Sequence, residues 1–343
     1  MKTPCDEISM TSGTAGAPCT AKAGPWILAA TILASSMAFI DGTIVNVAAP
    51  RFQSAFHATV VDVQWMIESY GLFLSSLILV GGALGDWLGR RAVFLAGVVV
   101  FAVASVICGL APGILLLVIA RCVQGVGAAL LVPGSLAIIS ASFDEKARGR
   151  AIGTWSGFTA ITTALGPVLG GWLIEHASWR WAFFVNVPLA AAVVILALRH
   201  VPESRNSQRG SLDWLGAVLA TASLAAVVAG LLESSSLGWR NPFVMASVLG
   251  GLFLAVLFLR VEACGSSPMV SFSLFKSRAF LGANLLTLFL YAAIGIFFFL
   301  FPESRPQFFA TLNSTIFARK RRPAAKRSSP DPMLQPSQRS KRR

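Results

Sequence analysis

Two charged residues stand where an apolar chain has least use for them. Asp41 lies in the run 26–48, within Phe-Ile-Asp-Gly-Thr-Ile-Val-Asn-Val-Ala-Ala-Pro. Arg121 lies in the run 114–136, within Arg-Cys-Val-Gln-Gly-Val-Gly-Ala-Ala. Each is about seven residues, or ~10 Å of helix, from the outer end of its run, so the two share a depth. A carboxylate in hydrocarbon costs at least a few kcal/mol and must face a wet interior or a partner. Burial favours its neutral form, and a nearby base favours its anion. A carboxyl poised between the two can take a proton from one side and release it to the other. Arginine does not shed its proton, so Arg121 suits the part of a fixed charge that tunes a neighbouring acid. Gln124, one turn on, shares its face. Glu68, in Trp-Met-Ile-Glu-Ser-Tyr near the outer end of the run 64–85, could help attract a cation. Plainer readings stand beside these. Asp41 could bond to Thr43 or to backbone, Arg121 could snorkel to the outer headgroups, and Glu68 could be merely solvated. Asn46 reads as an interhelical hydrogen-bonder.

Two further strings carry structure-making chemistry. Residues 82–91 read Gly-Ala-Leu-Gly-Asp-Trp-Leu-Gly-Arg-Arg, a tight charged turn between two apolar runs. Residues 162–171 read Thr-Thr-Ala-Leu-Gly-Pro-Val-Leu-Gly-Gly. Pro167 removes a backbone donor and kinks its helix. Gly166 and Gly170, four apart, line one face where another helix can approach closely. Gly149, Gly153 and Gly157 repeat that spacing, for which ordinary packing is the alternative.

The elements that position these residues are membrane helices. The chain has 343 residues, is 55% hydrophobic and only 13% charged, with a mean hydropathy of +0.70. A soluble domain carries about 25% charged residues. Nine candidate spans follow: 26–48, 64–85, 92–111, 114–136, 151–174, 181–200, 213–233, 243–260 and 279–301, the eighth being the shortest. Most approach the ~20 residues needed to cross the hydrocarbon. Residues 1–24 are small and polar, with no apolar core for a signal peptide, and read as a disordered cytoplasmic lead-in. With that end inside, the cytoplasmic loops hold eleven bases and the outer loops three, Arg51, Arg180 and Arg240. This positive-inside bias fixes the orientation and places Arg90 and Arg91 in the cytoplasm. Trp26, Trp65, Trp179, Trp181 and Trp239 fall near span ends, as interfacial anchors do.

The net charge of +13 is a property of the tail. Residues 302–343 hold eleven Lys/Arg and two acids, a net +9, and Ser, Pro, Arg and Lys replace Leu, Val and Gly abruptly at Pro302. A ninth span would deliver this basic tail to the outside, against the positive-inside rule. Either the tail is a basic extension and the last run does not insert as drawn, or the tail is read from a shifted frame; we favour the second. Nucleic-acid binding is not expected from tail charge alone. Cys5, Cys19, Cys108, Cys122 and Cys264 are scattered, without disulfide-framework or zinc spacing. His57, His176 and His200 stand singly near span ends. No phosphate-binding loop, nucleophile elbow or metal cluster is present, so neither an enzyme nor a cofactor is expected.

These strings resemble, in order and spacing, those of the major facilitator superfamily. Gly82, Leu84, Asp86, Gly89, Arg90 and Arg91 match its second-to-third-span loop, roughly Gly-x-Leu-Ala-Asp-Arg-x-Gly-Arg-Arg, with Trp87 where the family usually has a base. Residues 41–50 resemble the end of the first span of its fourteen-span drug:proton antiporters, and residues 121–129 their fourth-span motif. Gly166, Pro167, Gly170 and Gly171 match their fifth-span antiporter motif, with Thr162 in place of its first glycine. Residues 179–188, Trp-Arg-Trp-Ala-Phe-Phe-Val-Asn-Val-Pro, resemble the start of their sixth span, and residues 212–216 the start of their seventh. The likeness covers residues 26–301.

The resemblance implies an all-α membrane protein with an N-terminal six-helix half, two linker helices and one further helix. The implied divisions are a cytoplasmic N-terminus at 1–25, the half at 26–200, a linker at 201–212, the inserted pair at 213–260, a loop and ninth span at 261–301, and the tail. It implies an exporter in the bacterial inner membrane that exchanges protons for hydrophobic or cationic compounds. Asp41 would serve coupling or cation recognition, and Arg121 proton transfer. Asp86 and Arg90 would stabilise one conformation, and Gly166 and Pro167 would support antiport geometry. Alternating access needs two rocking halves. A chain ending after one helix of the second half is expected not to complete that cycle alone, and a non-transporting fragment is the competing expectation.

Overall fold

The computed structural model describes residues 23–205, 213–264, 276–290 and 292–293. Among them the regular structure is helical. Eight helices among the described residues are long and apolar enough to cross a membrane. They are α1 (Gly24–Phe56), α2 (Val60–Leu88), α3 (Arg90–Leu110), α4 (Ile114–Ser142), α5 (Glu145–His176) and α6 (Trp181–His200), then α7 (Trp214–Leu237) and α8 (Pro242–Cys264). Turn chemistry sets the boundaries. Pro25 opens α1, and His57 closes it in the left-handed conformation at φ 49°. Thr59 and Asp62 cap each other reciprocally at the start of α2. Asp144 and Asp213 accept from Ala147 N–H and Gly216 N–H at the starts of α5 and α7. Each cap satisfies amides that the first helical turn leaves without a carbonyl.

The helices α1 to α6 pack so that α4 lies against α2 and α3, while α1 lies against α5, α6 and α4. Apolar side chains such as Val103, Leu115, Ile119 and Val168 point outward, as lipid-facing residues must. Inside, small residues allow close approach where hydrophobic burial from water cannot drive helix association. A Cβ on Gly127 would sit 2.6 Å from Phe101 N, and one on Gly125 would sit 2.6 Å from Tyr70 O. The α7–α8 hairpin packs on itself, Ser223 Oγ donating to Gly251 O at 2.9 Å. It also meets α2, where Trp65 Nε1 donates to Glu233 Oε1 at 2.9 Å. The helix α9 (Arg278–Leu290) belongs to a second unit, residues 272–343.

Several expectations need correction. The first span is 33 residues, not 23, because Pro50 lies within the helix instead of ending it. The eighth is 23 residues and not short. Asn46 does not reach another helix: its Nδ2 donates to Gly42 O, one turn back, at 2.8 Å. Among the described residues nothing lies within 4 Å of a Cβ added at Gly149, Gly153 or Gly157, so no described helix packs on that spacing. The lead-in up to residue 22, most of the 201–212 linker, the last residues of the ninth span and the tail from Pro302 lie outside the described residues.

Candidate functional site

Five helices deliver polar side chains to one sealed point. Asp41 comes from α1, Tyr70 from α2, Ser105 and Cys108 from α3, Arg121 and Gln124 from α4, and Asn186 from α6. Asp41 is 0% and Arg121 1% exposed. Arg121 Nη1 forms an ion pair with Asp41 Oδ2. Gln124 Nε2 and Asn186 Nδ2 both donate to Asp41 Oδ1, at 2.9 and 2.8 Å. Three donors on a buried carboxylate stabilise its charge where solvent cannot.

The arginine is held independently of the acid. Its Nε donates to Met66 O at 3.3 Å, and Nη1 also donates to Gln124 Oε1 at 2.8 Å. Its guanidinium carbon lies 4.2 Å from the centroid of the Tyr70 ring, a cation–π contact. Tyr70 is fixed in turn by donating to Ala38 O at 2.9 Å. If Asp41 becomes neutral, the cation therefore keeps a carbonyl, an amide oxygen and a π face. Ser105 Oγ accepts from Gln124 Nε2 at 2.8 Å and from Asn186 Nδ2 at 3.2 Å while donating to Phe101 O at 2.8 Å. Cys108 Sγ donates to Gln124 Oε1 at 3.7 Å.

Asp41, Arg121 and Gln124 are thus brought together, while Glu68 is not. Glu68 lies on the exposed side of α2, two positions short of the inward-facing Tyr70. Depth along a helix was legible from the sequence; rotation about its axis was not. Thr43 does not bond to Asp41 but donates back to Phe39 O and Ile40 O. The residues that sequence reasoning missed are the neutral ones, Tyr70, Ser105, Cys108 and Asn186. Asn186 had a signal, a lone amide at the start of an apolar span. In the described residues no cluster of His, Cys, Asp and Glu could hold a metal ion.

The loop at the basic end forms a second assembly. Gly89 takes φ 122°, open to glycine and strained for other residues. The turn it makes lets Arg90 Nε donate to Asp86 Oδ1 at 2.9 Å. Glu203, just past α6, accepts from Arg91 N–H and Ala92 N–H, both at 3.1 Å, and so caps α3. Arg91 Nη1 donates to Val201 O at 3.0 Å. A Cβ on Gly82 would lie 3.8 Å from Pro133, an ordinary contact, and Trp87 is exposed. At the opposite end of α3, Arg180 donates to Gly109 O and Ala111 O at 2.7 and 3.2 Å. The two flanks of α6 therefore place an acid at the N-terminus of α3 and a base at its C-terminus, each matching the helix dipole.

Of the string 162–171, Gly166 meets Thr43 and Ile40, and Gly170 meets Ile44 at 3.2 Å from an added Cβ, so α5 lies directly on α1. Gly171 has nothing within 4 Å and takes no part in that contact. Pro167 lies inside α5, beside Gly166. The stretch of α1 that carries Asp41 is therefore flanked by a close, small-residue interface.

The family model described as Major Facilitator Superfamily matches residues 31–214. The chain is 38% identical over 254 residues to the multidrug resistance protein Stp of Mycobacterium tuberculosis (strain CDC 1551 / Oshkosh), covering 74% of this chain and 47% of that protein. It is 34% identical over 296 residues to the tetracenomycin C resistance and export protein of Streptomyces glaucescens, covering 84% of this chain and 54% of that one. The chain thus spans about half the length of the curated relatives it matches. A crystal structure of the peptide transporter POT in complex with sulfate shares the fold, with a TM-score of 0.54 and 15% identity over 76% of this chain and 56% of that one.

Proposed function

Because the chain belongs to the major facilitator superfamily, a multi-pass membrane family that carries small molecules, we propose that it serves the export of amphiphilic or cationic drugs in exchange for protons, in the plasma (inner) membrane of a bacterium. The observation that carries the reading is the sealed Asp41–Arg121 pair within two membrane-spanning helices. That its relatives include a multidrug resistance protein and a resistance and export protein supports a drug as the cargo.

The chemistry follows from the partners. A buried carboxylate can be released from its arginine at low cost only if its charge is removed, because separating the two leaves an uncompensated ion. A proton does this. Protonation of Asp41 frees Arg121 to rest on Met66 O, Gln124 Oε1 and the Tyr70 ring, and the helices that carry them can shift. A cationic substrate favours the anionic carboxylate, so its arrival promotes proton release. The Asp86–Arg90 pair and the Glu203 cap would hold α2, α3 and the end of α6 together in one conformation and let go in the other.

Inverted vesicles carrying an intact transporter that contains this sequence test this. A cationic dye should accumulate when respiration energises the membrane, collapse with a protonophore, and fail to accumulate with Asp41→Asn. Accumulation that survives the protonophore would contradict proton coupling.

A further inference from the structure

Asn186 is wholly buried in α6, beside Val185, whose backbone stays helical. Its Nδ2 divides its two hydrogens between Asp41 Oδ1 at 2.8 Å and Ser105 Oγ at 3.2 Å. Its Oδ1 is also buried and has no hydrogen-bond donor among the described residues. A buried acceptor without a donor is costly and calls for an explanation. A side-chain amide presents one donor group and one acceptor at nearly the same reach, and a half-turn exchanges them. Ionised Asp41 only accepts, so the NH2 must face it. Protonated Asp41 gains an O–H that donates, and then the carbonyl is the better partner.

We infer that Asn186 is a positioning residue for the proton on Asp41: its amide donates to the carboxylate, and turns to accept from the carboxyl. The inference rests on the proton-exchange reading above. In the step, one proton from water on the open side binds one carboxylate oxygen of Asp41. No other covalent bond forms or breaks, and the same proton later leaves to water on the opposite side. Ser105 fits both states, because its hydroxyl accepts from the amide now and can rotate from Phe101 O to donate to the turned Oδ1. The charged and titratable groups facing Asp41 are few. Arg121 comes from α4 and Tyr70 from α2, with Cys108 of α3 bonded to Gln124 behind them. The α5 face against this stretch of α1 is Gly166 and Gly170. From α6, Asn186 itself makes the contact, Arg180 being engaged with Gly109 O and Ala111 O.

Infrared difference spectroscopy of the full chain in lipid, with isotopically labelled asparagine, reads the amide directly. On acidification, the Asp41 carboxyl band should develop, and the labelled Asn186 carbonyl band should shift to lower frequency as it gains a donor. Asn186→Ser and Asn186→Leu should lose the asparagine shift while keeping the carboxyl band, and Asp41→Leu should lose both. Should a variant not fold, the labelled wild-type spectrum still decides. A carboxyl band that develops while the Asn186 band stays fixed would overturn this inference and leave the proton site standing. No titrating Asp41 band would overturn the proton-exchange reading itself.

Discussion

Two Asp–Arg pairs in one chain show how environment changes what an ion pair can do. Asp41–Arg121 joins α1 to α4 and is closed from solvent, with side chains 0% and 1% exposed. Asp86–Arg90 spans one turn at the basic end, at 2.8 Å, with side chains 44% and 22% exposed. The first has no water to fall back on, so breaking it strands a charge, and protonation is the inexpensive way out. The second exchanges protein partners for water at little cost, so it can open and close without any proton. We therefore read the buried pair as the site that couples and the exposed pair as the latch that reports.

If that contrast holds, its largest consequence is at Arg121. Arg121→Ala strands a buried carboxylate and should destabilise the protein by about 3–5 kcal/mol. Thermal unfolding in detergent should show a large drop in midpoint, and a shift as small as that of a surface variant would break the comparison. Glu203→Ala comes next. It removes the acceptor for two amides at the start of α3 and should cost about 1–2 kcal/mol, in the range of a lost helix cap. Hydrogen exchange at Arg91 and Ala92 should quicken well before exchange in the middle of α3 does; uniform protection would contradict the cap. The smallest effect belongs to Asp86→Asn, at most ~1 kcal/mol. Whatever loss it causes should fade as salt is added, since exposed charges are screened. A salt-independent loss as large as that at Arg121 would erase the distinction.

How much of this was legible beforehand depends on the cost of each residue. A charge inside an apolar run is expensive, so Asp41 and Arg121 announced themselves, and equal depth paired them. Gln124 followed from helical spacing. Asn186, Ser105 and Tyr70 are neutral and cheap to bury, and only the fold brings them to the carboxylate. Glu203 reads as an ordinary loop acid, because its partners at Arg91 and Ala92 lie 112 and 111 residues away in sequence. Asn46 turns back onto its own helix, and Glu68 lies apart from the Asp41 group, for another reason: position along a helix can be counted from spacing, but the rotation that turns a side chain inward depends on neighbours. The same holds for Gly149, Gly153 and Gly157, whose spacing describes a face and says nothing of whether another helix meets it. By contrast, Gly166 and Gly170 found α1 as their spacing suggested.

The claim that Asp41 exchanges a proton against substrate is tested most directly by proton release from the purified protein in weak buffer. Adding a cationic drug to the wild type should release protons to the medium, and adding it to Asp41→Asn at saturating drug should release none. Equal release from the two would contradict the account, whatever the transport assays show.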